Sequence, residues 1–226
     1  MRELFNGQDP KLVLFDLDGT LIDSVPDLAA AVDVMLIELG RSVAGIERVR
    51  HWVGNGAQVL VQRALTGEQY PDTETIDPIL FDRAFSLFMT AYGNSASHTS
   101  TLYPGVMKCL EGLQVRGIKL GVVTNKPIQF THPLLEEFGI APFFSVVLGG
   151  DSLPQKKPAP EPLLHAMKLM ACTPQETLMV GDSKSDIGAA RAAGCPVVAV
   201  PYGYNHGEPV SSYNPDLEVL QLDQLL

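Results

Sequence analysis

The sequence predicts an α/β fold: a parallel sheet covered by helices on both faces, with a separate bundle of helices inserted into it. Three observations carry that prediction. Short continuous apolar runs recur along the chain, each halted by a polar or glycine residue. Helical patterns lie between the later runs, and strands alternating with helices make a parallel sheet. Between the first run and the next such unit, residues 22–102 carry helical spacing almost throughout. A structureless loop of that length is improbable, so a helical insert is expected where the first strand ends.

Leu12 to Phe15 is apolar, β-branched at Val13 and stopped by Asp16, which reads as a buried strand. Leu28, Val32, Met35, Leu36 and Leu39 then step at three and four, with Pro26 suited to a first turn and Gly40 ending the helix. Ile46 to Val53 is helical, Gly54-Asn55-Gly56 interrupts, Ala57 to Leu65 resumes, and Thr75 to Tyr92 is a further helix. The sheet pattern returns with a helix over Pro104 to Arg116 and a strand over Ile118 to Val123 ending at Thr124-Asn125. A helix over Ile128 to Phe138 precedes a strand over Phe143 to Leu148. Pro160 to Ala171 places Leu163, Leu164, Met167 and Met170 at helical spacing. Strands over Leu178 to Val180 and Val197 to Val200 flank a helix over Asp186 to Ala193. Met35, Met89, Met107, Met167 and Met170 fit helical core positions.

Composition narrows the functional classes. In 226 residues, apolar types make up 46% and charged types 19%, which is globular. The formal net charge is −10, and no basic tract is present. Neither nucleic acid nor an anionic membrane is an expected partner. No apolar run is long enough to span a bilayer, and MRELFNGQDP has no apolar signal core. Cys109, Cys172 and Cys195 are odd in number and far apart, which fits buried thiols in a reducing compartment. A cytoplasmic protein, monomer or homodimer, is expected.

In an open parallel sheet, ligands bind outside the carboxyl ends of the strands. Those ends carry Asp16 and Asp18, then Thr124 and Asn125, then Asp182 and Asp186, while Lys157 lies in a Pro-rich loop. If the strands are adjacent, four carboxylates, a hydroxyl, an amide and an ammonium share one pocket. Four close carboxylates repel and call for a hard cation, and oxygen donors without His or Cys suit Mg2+ rather than zinc. Thr124, Asn125 and Lys157, with backbone N–H groups between Asp16 and Thr20, suit phosphate oxygens. A carboxylate beside a bound phosphate is placed to attack phosphorus, and a second carboxyl two residues on is placed to protonate the leaving oxygen.

Asp16-Leu17-Asp18-Gly19-Thr20 after an apolar strand resembles the first motif of the haloacid dehalogenase superfamily. Thr124-Asn125 resembles its second motif, Lys157-Pro158-Ala159-Pro160 its third, and Gly181-Asp182-Ser183-Lys184-Ser185-Asp186 its fourth. The four stand in order and span most of the chain. The resemblance implies a Rossmann-like core, residues 1–21 and 103–226, and a helical cap, residues 22–102. It implies a Mg2+-dependent phosphatase working through an aspartyl-phosphate. By position, Asp16 is the nucleophile and a metal ligand, and Asp18 is the acid/base whose backbone carbonyl also meets the metal. Thr124 and Asn125 hold phosphate, Lys157 (with Lys156 the less suited neighbour) offsets charge, Asp182 binds the metal, and Asp186 is a ligand or its support. Dehalogenases generally lack the second aspartate, which favours phosphoryl chemistry.

Within the superfamily the similarity is strongest to bacterial phosphatases of 2-phosphoglycolate. It rests on residues 23–28, His51-Trp52-Val53-Gly54-Asn55-Gly56-Ala57, Gly149-Gly150-Asp151-Ser152 and Tyr202-Gly203-Tyr204-Asn205. The Gly54-Asn55-Gly56 turn before a helix is expected to offer N–H groups to the substrate carboxylate, with Arg50, His51 and Arg63 nearby. A small anionic phosphorylated substrate is the expected partner. The rivals are a phosphosugar mutase or another phosphatase of the superfamily, and a phosphoaspartate receiver module, which would have no helical insert. Asp23 and Asp151 read as surface or hinge residues, Trp52 as cap core, and Tyr202 to Asn205 as a packed loop. His51, His98, His132, His165 and His206 share no ligand spacing.

Overall fold

The computed structural model describes residues 1–95 and 99–226. His98 lies outside the described residues. Strand β1 (Leu12–Phe15) is followed by β2 (Ile22–Asp23), then helices α1 (Val25–Glu38), α2 (Ile46–Trp52), α3 (Ala57–Thr66) and α4 (Pro78–Ser95), then β3 (Thr101–Leu102). The chain continues through α5 (Val106–Val115), β4 (Lys119–Val123), α6 (Ile128–Glu137), β5 (Val146–Leu148) and α7 (Glu161–Leu169). It ends with β6 (Thr177–Gly181), α8 (Lys184–Ala193), β7 (Val197–Ala199) and β8 (Leu217–Glu218).

The main sheet is parallel, in the order β5-β4-β1-β6-β7-β8. Strand β1 is central because every side chain from Leu12 to Phe15 is apolar and buried, so both faces of the strand can be covered. Val13 and Phe15 pack with Cys109, Leu110 and Leu113 of α5 and Leu134 of α6. Leu12 and Leu14 pack on the opposite face with Leu163 and Met167 of α7 and Ile187 and Ala190 of α8. The strand order changes direction at β1, so the next strands, β4 and β6, lie on its two sides. This is the topological switch where a ligand crevice is expected.

The predicted insert is present as α1 to α4. Strands β2 and β3 pair antiparallel, Ile22 opposite Leu102 and Asp23 opposite Thr101, and carry the chain out of the sheet and back. The helices have their own apolar core around Val32, Met35, Trp52, Val61 and Phe88. Trp52 is buried there, as the sequence suggests.

Several sequence readings are corrected. The strand expected from Phe143 begins at Val146, because residues 141–143 form a 3-10 turn. The helix expected from Thr75 begins at Pro78. The helix expected from Asp186 begins two residues earlier, so Asp186 falls in its first turn. Met107 and Leu164 are exposed on α5 and α7, because their neighbours Val106 and Leu163 take the inward positions. The two-residue strands β2, β3 and β8 were not expected, since two residues carry no periodic signal.

Candidate active site

Asp16 follows β1 directly, and its Oδ1 accepts the N–H of Leu17 at 2.7 Å. Lys157, at a cis Lys157–Pro158 bond, places Nζ 2.9 Å from Asp16 and 2.6 Å from Asp186. Asp182 directly follows β6, and its Oδ1 accepts from the Thr20 hydroxyl at 2.8 Å and its Oδ2 from the Tyr204 N–H at 2.6 Å. Asp186, in the first turn of α8, accepts on Oδ2 from Ser183 Oγ at 2.7 Å and from the N–H groups of Ser183 and Asp182 at 3.1 and 3.2 Å. Asp16, Asp182 and Asp186 are all buried and each bring an oxygen within 4.8 Å of the others. A Cβ on Gly19 or on Gly203 would lie 2.3 Å from Asp182 Oδ2, so the close approach of both backbones requires glycine.

Burial pushes the Asp16 carboxyl up to about 6; Lys157 opposes the shift and Asp186 adds to it. Burial, then Asp186 and Asp16, raise Asp182 well above the usual carboxylate range. Burial alone would lower Lys157, but its two carboxylate partners outweigh it and keep the ammonium charged. Three buried carboxylates therefore stand beside one ammonium, which pairs with two of them, Asp16 and Asp186. The donors are hard oxygens, and the residual negative charge fits a divalent cation of the magnesium type.

Asp18 does not join these three carboxylates. Its side chain turns toward the helical insert, taking the Ser24 hydroxyl at 2.6 Å and Lys126 Nζ at 3.0 Å. Residues i and i+2 share no common direction in the turn after β1, so the four-carboxylate cluster is corrected to three. Thr20, expected at the phosphate, is fully buried and its hydroxyl serves Asp182. Both amide hydrogens of Asn125 are engaged, at 3.0 Å each, by the carbonyls of Gly54 and Lys157, and its Oδ1 is buried without a partner among the described residues. Thr124 lines the cavity and its Oγ1 accepts from the Lys126 N–H.

The Gly54-Asn55-Gly56 turn meets the core through carbonyls: Gly54 with Asn125, and Asn55 with Lys156 Nζ at 2.9 Å. The Asn55 amide reaches Ser185 Oγ at 3.4 Å. Arg63 is buried and holds the carbonyls of Trp52 and Gln69, so it supports the insert. Arg50 lies 5.5 Å from the Tyr204 ring centroid and 3.9 Å from Asp23. His51 offers its carbonyl to His206 Nδ1. Asp151 accepts the first N–H of α6 at 2.8 Å.

Two residues at this junction were missed or understated. Lys126 is buried between Asp18 and the Tyr92 hydroxyl, 2.6 Å away. Burial would lower its ammonium, but Asp18 and Tyr92 raise it instead. Its position directly after Thr124-Asn125 was the available signal. Tyr204 donates to Asp23 and packs within the apolar core of the insert, tying that core to the Asp182 loop.

A small cavity, about 40 Å³, opens between the two layers. Asp16, Asp18, Thr124, Asn125 and Lys126 form its floor, and Leu28, Val53, Gly54, Gly56, Leu60, Phe88, Tyr92 and Phe130 line the rest.

A parallel sheet with an aspartate after its central strand, a lysine paired to it and acidic residues beside it defines a hydrolase class. Residues 13–200 match the family described as haloacid dehalogenase-like hydrolase, and the chain belongs to that family. It is 54% identical over 224 residues to the phosphoglycolate phosphatase of Pseudomonas putida, covering 99% of this chain and 81% of that protein. To phosphoglycolate phosphatase 1 of Pseudomonas aeruginosa it is 49% identical over 217 residues, 96% and 79% of the two chains. The crystal structure of a predicted phosphoglycolate phosphatase from Haemophilus somnus superposes with a TM-score of 0.89 at 39% identity, covering 96% of this chain and 97% of that one.

Proposed function

We propose that this chain is a Mg2+-dependent phosphatase that hydrolyses 2-phosphoglycolate to glycolate and phosphate through an aspartyl-phosphate on Asp16. The observation that carries the reading is Lys157 Nζ, 2.9 Å from Asp16, beside the carboxylates of Asp182 and Asp186 at the switch point of the sheet. The named relatives support the choice of substrate.

Asp16, Asp182 and the backbone carbonyl of Asp18 would hold Mg2+. Bound Mg2+ would neutralise phosphate charge and orient the phosphoryl group toward Asp16. Asp186 has Lys157 on Oδ1 and three donors on Oδ2, so it positions Lys157 and the Asp182 turn rather than ligating directly. An Asp16 oxygen forms a bond to phosphorus as the ester oxygen leaves with a proton from Asp18. Asp18 then takes a proton from water, the oxygen of which attacks phosphorus and frees Asp16 and phosphate. Lys157 stabilises the charge on Asp16 and on the phosphoryl oxygens, and Thr124 lies at the phosphate side of the cavity.

Residues 1–21 and 103–226 act as the catalytic core and residues 22–102 as a cap that excludes water. A reducing cytoplasm suits its three free cysteines. Among the described residues, no helix is long and apolar enough to cross a membrane. Phosphate release from 2-phosphoglycolate, with borohydride trapping of the acyl phosphate and mass spectrometry of the Asp16 peptide, tests the proposal. Isomerisation of sugar phosphates without phosphate release would overturn it.

A further inference from the structure

We propose that Lys126 selects the substrate, its ammonium receiving the carboxylate of 2-phosphoglycolate at the cavity wall; this rests on the substrate reading above. The cavity is apolar on the side of the helical insert, where Leu28, Leu60 and Phe88 line it, and Phe130 of α6 extends that apolar wall. An anionic group cannot be buried against such a wall without a paired charge. Asp16 and Asp18 are the other charged side chains that line the cavity among the described residues, and both repel a carboxylate. Lys126 is the cation there.

Position agrees with charge. Lys126 Nζ is 3.0 Å from Asp18, the group assigned to the leaving oxygen. In 2-phosphoglycolate a single methylene separates that oxygen from the carboxylate carbon, so a substrate within reach of Asp18 brings its carboxylate near Lys126. An ammonium has three donors. They reach the Tyr92 hydroxyl at 2.6 Å, Asp18 Oδ1 at 3.0 Å and, more weakly, Asp18 Oδ2 at 3.3 Å, so an entering carboxylate takes the place of the long Oδ2 contact while the other two remain. Those two partners also hold the long side chain in place, so little rotamer freedom remains to be lost on binding. Lys157 is not placed for this role, because it does not line the cavity and its ammonium lies between Asp16 and Asp186.

Ethyl phosphate replaces the carboxylate by a methyl group and isolates the contribution of that group. The full-length enzyme with Mg2+ is compared with Lys126→Met on both esters. The expected result is a KM for 2-phosphoglycolate raised at least about 30-fold, the usual scale for truncating one member of a buried charge pair. The KM for ethyl phosphate stays within about threefold, and kcat on the two esters moves together. Lys126→Arg, which keeps the charge, retains most of the preference. Lys126→Gln is the second variant, with Tm as the measure of folding, should Lys126→Met not fold. Equal losses on both esters would overturn the inference, since Lys126 would then act through Asp18 or the fold. A wild-type enzyme that turns over ethyl phosphate as efficiently as 2-phosphoglycolate would overturn the substrate reading, and the inference with it, before any variant is made.

Discussion

The ammonium of Lys157 sits between two buried carboxylates, 2.9 Å from Asp16 and 2.6 Å from Asp186. In the proposed mechanism, the contact with Asp16 stabilises the anion that attacks phosphorus. The contact with Asp186 ties the loop before α7 to the first turn of α8. One side chain thus serves both chemistry and folding, and variants on its two sides separate those tasks.

Asp16→Asn keeps the size of the side chain and an oxygen for the Leu17 N–H. It removes the proposed nucleophile. Turnover of 2-phosphoglycolate should fall by several powers of ten, while Tm stays at or above that of the wild type, because one buried carboxylate of a repelling set is gone. Phosphate release and a thermal melt check both parts. Near-normal turnover would remove Asp16 from its role.

Lys157→Met leaves Asp16 and Asp186 buried without their shared cation. Removing one partner of such a group costs about 3–5 kcal/mol. A urea titration at pH 7 without added metal should show that loss. An unchanged midpoint would mean that the ion pairs do not hold the loop.

Metal stabilisation should depend on pH. The folded carboxyl of Asp16 is raised to about 6 by burial, above its ordinary value of 3.8. Its favourable contribution in the protonated form is present below about 4 and is lost as pH rises through about 6. Asp182, raised well above the usual range, carries the loss to higher pH. In chelator the site therefore becomes less favourable between pH 5 and pH 8. Mg2+ should raise Tm little at pH 5 and clearly at pH 8, as scanning fluorimetry with and without chelator would read. An equal shift at both values would count against metal binding by these carboxylates.

Asp27, in the first turn of α1, is buried and accepts from Thr99 Oγ1 at 2.6 Å and from the N–H of Ser100 at 3.0 Å. The segment that returns to the sheet is thereby fastened to the segment that leaves it. Asp27→Ala leaves those donors without their acceptor and should destabilise the fold by about 2 kcal/mol. The Tm difference measures it. Asp16 and Lys157 lie elsewhere, so the chemistry per folded molecule should change far less than with Asp16→Asn.

The main elements of the site were legible for a simple reason. Parallel strands bring their carboxyl ends to one rim, so Asp16, Thr124, Asn125 and Asp182 could be placed together once each was seen to follow an apolar run. The helical insert was legible because its apolar residues step at three and four. Asp18, Asn125 and Lys126 show where reading stopped. Spacing along the chain does not say that Asp18 turns to Lys126, that Asn125 holds Gly54, or that Tyr204 reaches both Asp182 and Asp23.

By itself, the sequence determined the alternation of strands and helices, the place of the insert and the residue types gathered at the strand ends, since these follow from local periodicity and chain order. Only the tertiary structure decided which carboxylates share a centre, which cation faces the cavity and which polar groups join the two layers. Side-chain direction and partner choice are settled by packing between segments more than a hundred residues apart, such as Tyr204 with Asp23 and Lys126 with Asp18, and no local pattern encodes them.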